Sequence, residues 1–515
     1  MPAADLVLKN AEVITMDPEY PFANLVAVRD GRVRLVGDAD RLNDVTGAGT
    51  NVIDCGGKTV LPGFTDAHCH VFSFIRKLLS LDLSPPAVTS ITDIKAIIAR
   101  KVKETPSGHW IQGTDYSDFH LEEKCHPTRW DLDEVAPDYP VVLSHRSLHA
   151  CVLNSRALDL AGITRETPEP PGAMIERDIT SGEPNGVLYE MLGHIREKVM
   201  PSWTDEELER GMILAGREYL SKGITSLQDA TVVNDFRRWQ KFRRFIDTGI
   251  LKSRIYMMVG AEGVAQFREA GLGFGDGDDR LRLGAVKIVP SNIAGQMHPP
   301  QAELEQMVLD AQRDGFQVAV HAVRDSTVEA VIRAYERARN ESPQTEMRHR
   351  IEHCAECPPH LLERLAGSGV VIASQPPFIY FSGDRYRAMV PQEQQQWLYR
   401  FRSFFDNGVV MAASSDSPIV PNNPLMGIYG AVTRQTDSGQ HLLPHEAVSV
   451  HQALIAYTSN AAYASFEEDI KGTITAGKLA DMVVLSDNPY TVAPEALKEV
   501  RVEMTISGGE VVWEA

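Results

Sequence analysis

The sequence predicts an α/β protein: a (β/α)8 barrel, a small composite β-sandwich made from both termini, and a large insertion after the first barrel strand. Three observations predict it. Both ends of the chain are strand-rich. The middle alternates short apolar runs with amphipathic segments, and eight of those runs end in polar or reactive residues. One interval between runs is far too long for a single connecting helix.

Composition narrows the function classes first. The chain has 515 residues, 43% hydrophobic and 23% charged, which is ordinary globular usage. That length allows several average domains, or one large barrel with additions. It can bury a core without disulfides or structural metals, so collagen-like and disordered readings fall away. Lys and Arg total 51 against 70 Asp and Glu, a net charge of −19. Such a surface repels phosphate backbones and excludes generic nucleic-acid binding. No run reaches the roughly eighteen apolar residues of a membrane helix. The start, MPAADLVLKNAEVITMD, lacks the basic, apolar and small-residue pattern of a secretory signal. Six irregularly spaced cysteines fit a reducing compartment, so the cytoplasm is the expected location.

In chain order, residues 1–60 read as strands: LVLKNAEVITM, LVAVRDGRVRLVGD and TNVIDCGGKTVLPG, with Asp30-Gly31 as a hairpin signal. Residues 470–515 read the same way, through GTITAGKLADMVVLS and VEMTISGGEVVWEA. The two ends are expected to share one sandwich; two separate β caps are the alternative. Residues 61–469 form the barrel. Its strands are TVLPGFTDAHCH, GITSLQDA, RIYMMVG, LGAVKIVP, QVAVHAV, RHRIEHC, GVVIASQPP and GVVMAASSD, with helices such as AELEQMVLDAQRDG and DSTVEAVIRAYERARN between them. From Thr225 onward the runs recur about every thirty residues, one βα unit. The insertion covers about residues 75–215. It follows the first strand, on the face where barrel active sites form, and is expected to lie over the site. A separate decorative domain is the alternative.

The reactive residues gather at strand ends. His68 and His70 lie two apart, so a strand points both to one face, about 7 Å apart, with Cys69 on the other. Alone, such a pair is weak evidence of a metal site. Lys287 in the fourth run, His321 ending the fifth, His353 the sixth and Asp416 the eighth strengthen it. Each has a bland reading. A histidine near a core is often merely satisfied, Asp416 could cap a helix, and Lys287 could sit in a buried ion pair. Together, the six point to a metal centre.

The order His-x-His, Lys, His, His, Asp on successive strands resembles the amidohydrolase superfamily over nearly the whole chain. LPGFTDAHCH, RHRIEHC, SSDSPIVPNNPL and GTITAGKLADMVVL look like its characteristic stretches. In the insertion, PTRWDLDEVAPDYPVVL, NSRAL and NGVLYE are similar to the branch typified by N-substituted formamide deformylase. The resemblance implies that His68, His70 and Asp416 hold one divalent metal and that His321 and His353 hold a second. Lys287 would bridge both after N6-carboxylation; a single-metal site with a neutral Lys287 is the alternative. Zn²⁺ is expected, although Mn, Fe or Co suit the same N/O donors. The implied reaction is hydrolysis of an amide-like C–N bond of a small molecule by metal-bound hydroxide, with Asp416 as catalytic proton shuttle. Ester or lactone hydrolysis, or decarboxylation, on the same scaffold is the rival reaction. A non-enzymatic scaffold protein is a more distant rival, because such descendants typically lose ligands.

Substrate contacts are expected from the insertion, at Trp110, Gln112, Asp115, His145 and His149, and from a loop after strand seven carrying Phe378, Tyr380 and Phe381. Their bland reading is packing. His149 matches a recurrent histidine of the branch and is expected to bind substrate or its oxyanion. Gln375 and Ser415 are further strand-end candidates. Two stretches depart from the branch: KIVPSNIAGQMHPP replaces the usual Asp-Gly after the lysine strand, and Arg324-Asp325 replaces Gly-Asp after the fifth. Arg324 could clamp a substrate carboxylate. Cys354 and Cys357 lack a partner pair for a separate zinc site. Gly271 through Gly277 precede a strand and read as a turn. His120, His126, His441 and His445 are expected at the surface. A homodimer is the default assembly.

Overall fold

The structure, a computed structural model, describes residues 3–293, 296–343 and 346–515. The chain divides into two compact units: Met1–Val71, Ala215–Pro290 and Ala302–Ala515 form one, Phe72–Leu214 and Ser291–Gln301 the other.

The first unit contains the barrel. Its strands are β1 (Phe64–Cys69), β2 (Ile224–Asp229), β3 (Arg254–Gly260), β4 (Leu281–Ile288), β5 (Val318–Ala322), β6 (Arg350–His353), β7 (Val371–Ser374) and β8 (Met411–Ala413). Each pairs in parallel with the next, in sequence order. Just past β8 the ring meets β1: Cys69 bridges Ser417, the Asp416 amide donates to the His68 carbonyl at 2.9 Å, and the His70 amide donates to the Ser417 carbonyl at 2.8 Å. All eight runs read from the sequence are these strands. They are short and Val/Ile/Ala-rich because helices cover their outer faces, so both sides are buried. Helix Asp325–Glu341 shows the covering pattern: Val328, Val331, Ile332 and Tyr335 recur at helical spacing and are buried.

The same unit carries an eight-stranded sheet drawn from both termini. Thr59–Pro62 runs antiparallel to Met482–Leu485, which joins the two ends of the chain. Period-two alternation splits its side chains. Leu6, Leu8, Val26 and Val28 enter one apolar cluster, while Val7, Leu25 and Ala27 enter another on the opposite face. Asp30 and Gly31 form a two-residue turn between Arg29 and Arg32, both with left-handed backbone (φ 51° and 73°), the conformation that a tight hairpin demands. Arg254, at the start of β3, forms a buried bidentate pair with Asp481 at 2.6 and 2.8 Å, tying sheet to barrel.

The second unit has its own six-stranded sheet, in the order Met174–Arg177, Pro184–Tyr189, Ala150–Leu153, Val141–His145, Ile111–Tyr116 and Leu81–Asp82. Two apolar clusters flank it, one around Leu83, Ile94, Leu132 and Leu143, the other around Leu153, Leu158, Leu188 and Ile195. The departing run after β4 belongs here, as a hairpin pairing Ser291–Ile293 with Gln296–His298; its Ala294 and Gly295 lie outside the described residues. Among the described residues no helix is long and apolar enough to cross a membrane.

Candidate metal centre

Strand alternation and barrel closure together build the site. Along β1, Asp66, His68 and then His70 share a face, and the β1–β8 seam sets Asp416 beside them. Among the described residues, His68, His70 and Asp416 are the group whose ligand atoms all lie within 4.8 Å of one another. Nε2 of His70 is 3.1 Å from Asp416 Oδ1, and Nε2 of His68 is 3.5 Å from the same oxygen. The rings of His68 and His353 are 4.8 Å apart, and those of His353 and His321 are 4.5 Å apart. Lys287 on β4 is buried, and its Nζ has no hydrogen-bond partner among the described residues.

The far sides of the His68, His70 and His353 rings are held by neighbours. His68 Nδ1 bonds to Glu352, a wholly buried carboxylate on β6. Arg350, two residues earlier on the same face, donates to both Glu352 oxygens at 2.7 and 3.0 Å. It also donates to Gln228 and, at 2.7 Å, to the Ala67 carbonyl. His70 Nδ1 is 3.1 Å from Thr231 Oγ1. His353 Nδ1 donates to Gln375 Oε1 at 2.8 Å. Two of these residues take left-handed backbone, His353 (φ 76°) and Asp416 (φ 58°). Such geometry costs about 1–3 kcal/mol per residue and persists where surrounding structure enforces it, commonly at functional sites.

Charge follows from this geometry. Burial alone would raise Glu352, but Arg350 and His68, with Lys287, hold it well below the usual carboxylate range. Burial, reinforced by Lys287, pushes His68 down to about 3, so the imidazole is neutral. An ionised Glu352 can only accept, so the His68 proton sits on Nδ1 and the Nε2 lone pair faces Asp416. Burial would raise Asp416 too, yet the hydrogen bond from His70, with the neighbouring histidines, brings it to about 2. A lone pair and a carboxylate oxygen therefore confront each other with no proton between them, an arrangement that a cation satisfies. Burial lowers Lys287 to about 8. The donor set fits a divalent metal.

The substrate candidates differ in exposure and in partners. Gln375 is buried and occupied by His353 and, at 3.0 Å, Ser414. Ser415 is occupied by Asp66, which burial raises to about 6. The segment after β7, expected as a loop, is the helix Pro377–Met389; it follows the proline pair Pro376–Pro377, well suited to a helix start. On it Phe378 is buried, and Tyr380 bonds to Asp437. Arg324 is exposed at the start of helix Asp325–Glu341. In the second unit, Trp110 packs on the Leu153 cluster, Gln112 accepts from Arg76 at 2.8 Å and Asp115 pairs with Lys77. His145 sits between Ser147 (2.8 Å) and Asp118 (3.0 Å), and half-exposed His149 pairs with Glu190 at 2.8 Å. His126, expected at the surface, is half-buried and bonded to Tyr116 at 2.8 Å.

Sequence reasoning passed over Glu352, Arg350, Gln228, Thr231 and Asp66. The signal for the first two was present: in Arg350-Ile351-Glu352-His353, two charges alternate with apolar residues inside a strand that must be buried.

A parallel eight-stranded barrel with a His–His–Asp cluster at its C-terminal strand ends has its reactive groups where enzymes of this fold carry theirs. Residues 51–513 match the amidohydrolase family, so the chain belongs to that family, whose members hydrolyse C–N bonds. It is 32% identical to the N-substituted formamide deformylase of Arthrobacter pascens, with 99% of this chain and 98% of that protein covered. Its fold is similar to uncharacterized metal-dependent hydrolases from Pyrococcus horikoshii OT3 (TM-score 0.75, 24% identity, 95% and 99% of the two chains covered) and Pyrococcus furiosus (TM-score 0.73, 26% identity, 94% and 100% covered).

Proposed function

We propose that the protein hydrolyses an amide-like C–N bond of a small molecule, using divalent metal, with Zn²⁺ the expected ion, at the His68–His70–Asp416 cluster. The observation carrying this reading is the convergence of two imidazole nitrogens and an ionised carboxylate within 4.8 Å. The likeness to a formamide deformylase over the full chain supports the bond type. His68, His70 and Asp416 would hold one ion, and His353, whose ring stands beside His68, would hold a second together with its own neighbour His321. A bound ion of this kind acidifies water and polarises a carbonyl. Asp416, kept ionised by its neighbours, takes a proton from water and delivers it to the departing nitrogen, so the amine leaves neutral.

Lys287 is the proposed bridge between the two ion positions. Its amine is buried, without a partner among the described residues, and partly neutral near neutral pH. Attack of that nitrogen on CO2, with loss of one proton, makes a carbamate, which turns an unsatisfied donor into an anionic ligand. Trp110, His149, Arg324, Phe378 and Tyr380 are the proposed contributors to substrate preference.

The test combines metal analysis of protein purified without chelator with a panel of N-substituted formamides, amides, esters and lactones read by product mass. Stoichiometric metal and amine release support the reading. Metal-free protein that turns nothing over, or metal-loaded protein that cleaves only esters or lactones, overturns it.

A further inference from the structure

The other end of the barrel holds a cavity of about 410 Å³ that the hydrolytic site does not use. It opens at the N-terminal ends of β6 and β7: Arg348 and His349 immediately precede β6, and Gly367 through Val370 immediately precede β7. The metal-site residue His353 closes the opposite, C-terminal end of β6. This cavity is therefore distinct from the proposed reaction centre, and its volume is that of a small-molecule pocket, roughly 300–1,000 Å³.

Its walls are mixed: Ile332, Leu365 and Val370 contribute aliphatic surface, Tyr335 and Tyr463 aromatic surface, and Glu336, Glu346 and three arginines the charges. Most of its polar groups are spent. His349 accepts the Val318 amide on Nδ1 at 3.1 Å and donates from Nε2 to Gln312 at 2.7 Å. Burial pushes its pKa down to about 4, so it adds no charge. Arg364 and Glu336 neutralise each other through two bonds of 2.7 and 3.1 Å. Arg348 donates to Glu468 at 2.7 Å and lies 3.4 Å from Glu346. Arg348 thus faces two carboxylates, and one lining guanidinium remains uncommitted. Arg339 is exposed at the cavity and has no partner among the described residues. The shielded Nε–H of Arg348 is a second donor without a partner there.

A chamber of this size, part apolar and with one uncommitted guanidinium among its lining groups, has the chemistry of a site for an organic anion. We propose that it binds a small monocarboxylate with a compact apolar body. The body would sit against Ile332 and Leu365, with the carboxylate on Arg339. The tyrosine rings are already engaged, Tyr463 under the Arg348 guanidinium at 3.7 Å and Tyr335 against His349 at 4.8 Å, so they shape the chamber while the planar carboxylate matches the guanidinium fork. Tyr335 makes this more than a surface dent. Its hydroxyl donates to the Arg350 carbonyl at 2.6 Å, so one wall is fastened to the residue that clamps Glu352 behind His68.

The probe is 4-bromobenzoate, with 4-bromobenzyl alcohol as the uncharged control. Crystals of the metal-loaded full chain are soaked with each and bromine is located by anomalous scattering, which separates this cavity from the metal centre. The same soaks are made with Arg339→Glu, an exposed position whose charge reversal leaves the core intact. Bromine in the cavity for the acid only, with occupancy lost by at least tenfold in Arg339→Glu, supports the proposal. Bromine confined to the metal centre or to scattered surface positions overturns it, as does equal occupancy by the alcohol or in Arg339→Glu. Isothermal titration of both proteins with 4-bromobenzoate gives the solution counterpart: a binding isotherm that Arg339→Glu does not weaken also counts against it.

Discussion

The barrel and the inserted unit both carry clustered histidines, and the two clusters are built differently. In the barrel, His68 and His353 are buried, and each has its Nδ1 tied to a fixed acceptor, Glu352 and Gln375. In the inserted unit, His145 has both nitrogens engaged, by Ser147 and Asp118, while His149 is half-exposed with Glu190 as partner. One arrangement prepares a lone pair for a cation; the other satisfies the ring or leaves it in water. What distinguishes a ligand from an ordinary polar histidine is thus the free lone pair, aimed by the neighbour behind it, rather than the residue type.

The sharpest way to break this contrast is at Asp416. Asp416→Asn should lower kcat by about 10²–10⁴-fold, the usual contribution of a proton-transferring group; steady-state kinetics with parallel metal analysis checks it, and unchanged turnover at full metal content would remove its proton role. Next in size is the acid response of a buried barrel imidazole. His349, brought to about 4 by burial against an ordinary 6.5, leaves the unfolded chain binding the extra proton between those values. Its contribution to stability is full above pH 6.5 and falls by about 3 kcal/mol by pH 4, at about 1.36 kcal/mol per pH unit. Chemical denaturation of metal-free protein across that range should show the slope, and His349→Gln should flatten it.

The residues behind the ligands supply the next tests. Glu352→Gln should weaken metal binding about 10–100-fold through loss of the negative charge on the acceptor that aims His68. It should also cost about 3–5 kcal/mol of stability, because Arg350 is left buried without its counter-charge. Competitive metal titration and thermal melts separate these two consequences, and undiminished metal affinity in folded protein would mean that His68 needs no such support. Least affected should be His149→Ala, whose exposed pair with Glu190 is worth no more than about 1 kcal/mol. It should leave metal content unchanged and raise KM by about tenfold or less. Arg324→Ala, measured against anionic and neutral substrates, should shift only the former.

The same contrast explains how much was legible in the amino-acid order. The eight barrel runs could be read because buried parallel strands are short apolar stretches with a regular recurrence, and His68, His70, Lys287, His321 and His353 stand out where such a stretch ends in a reactive side chain. Asp416 was legible by its place after the last run, though not the left-handed turn that presents it. Glu352 and Arg350 were hidden in plain view, since a charge inside a buried strand identifies a network only once its partners are known, and Gln228 and Ala67 lie on distant strands. The aromatics after β7 were misjudged as a loop because Pro376-Pro377 reads equally as a turn and as a helix start. Ring placement in the inserted unit depends on a sheet whose strand order the sequence does not announce.

The seam between β1 and the end of β8 has a broader meaning. His68 and Asp416 sit far apart along the chain, yet one backbone bond joins them at the barrel's edge. The ligand cluster consequently cannot exist in any partly assembled barrel; it comes into being only when the cylinder shuts. An ion gripping both sides would act as a clasp, favouring the shut form in proportion to its free concentration. Catalytic competence and complete folding would then be reported by a single event.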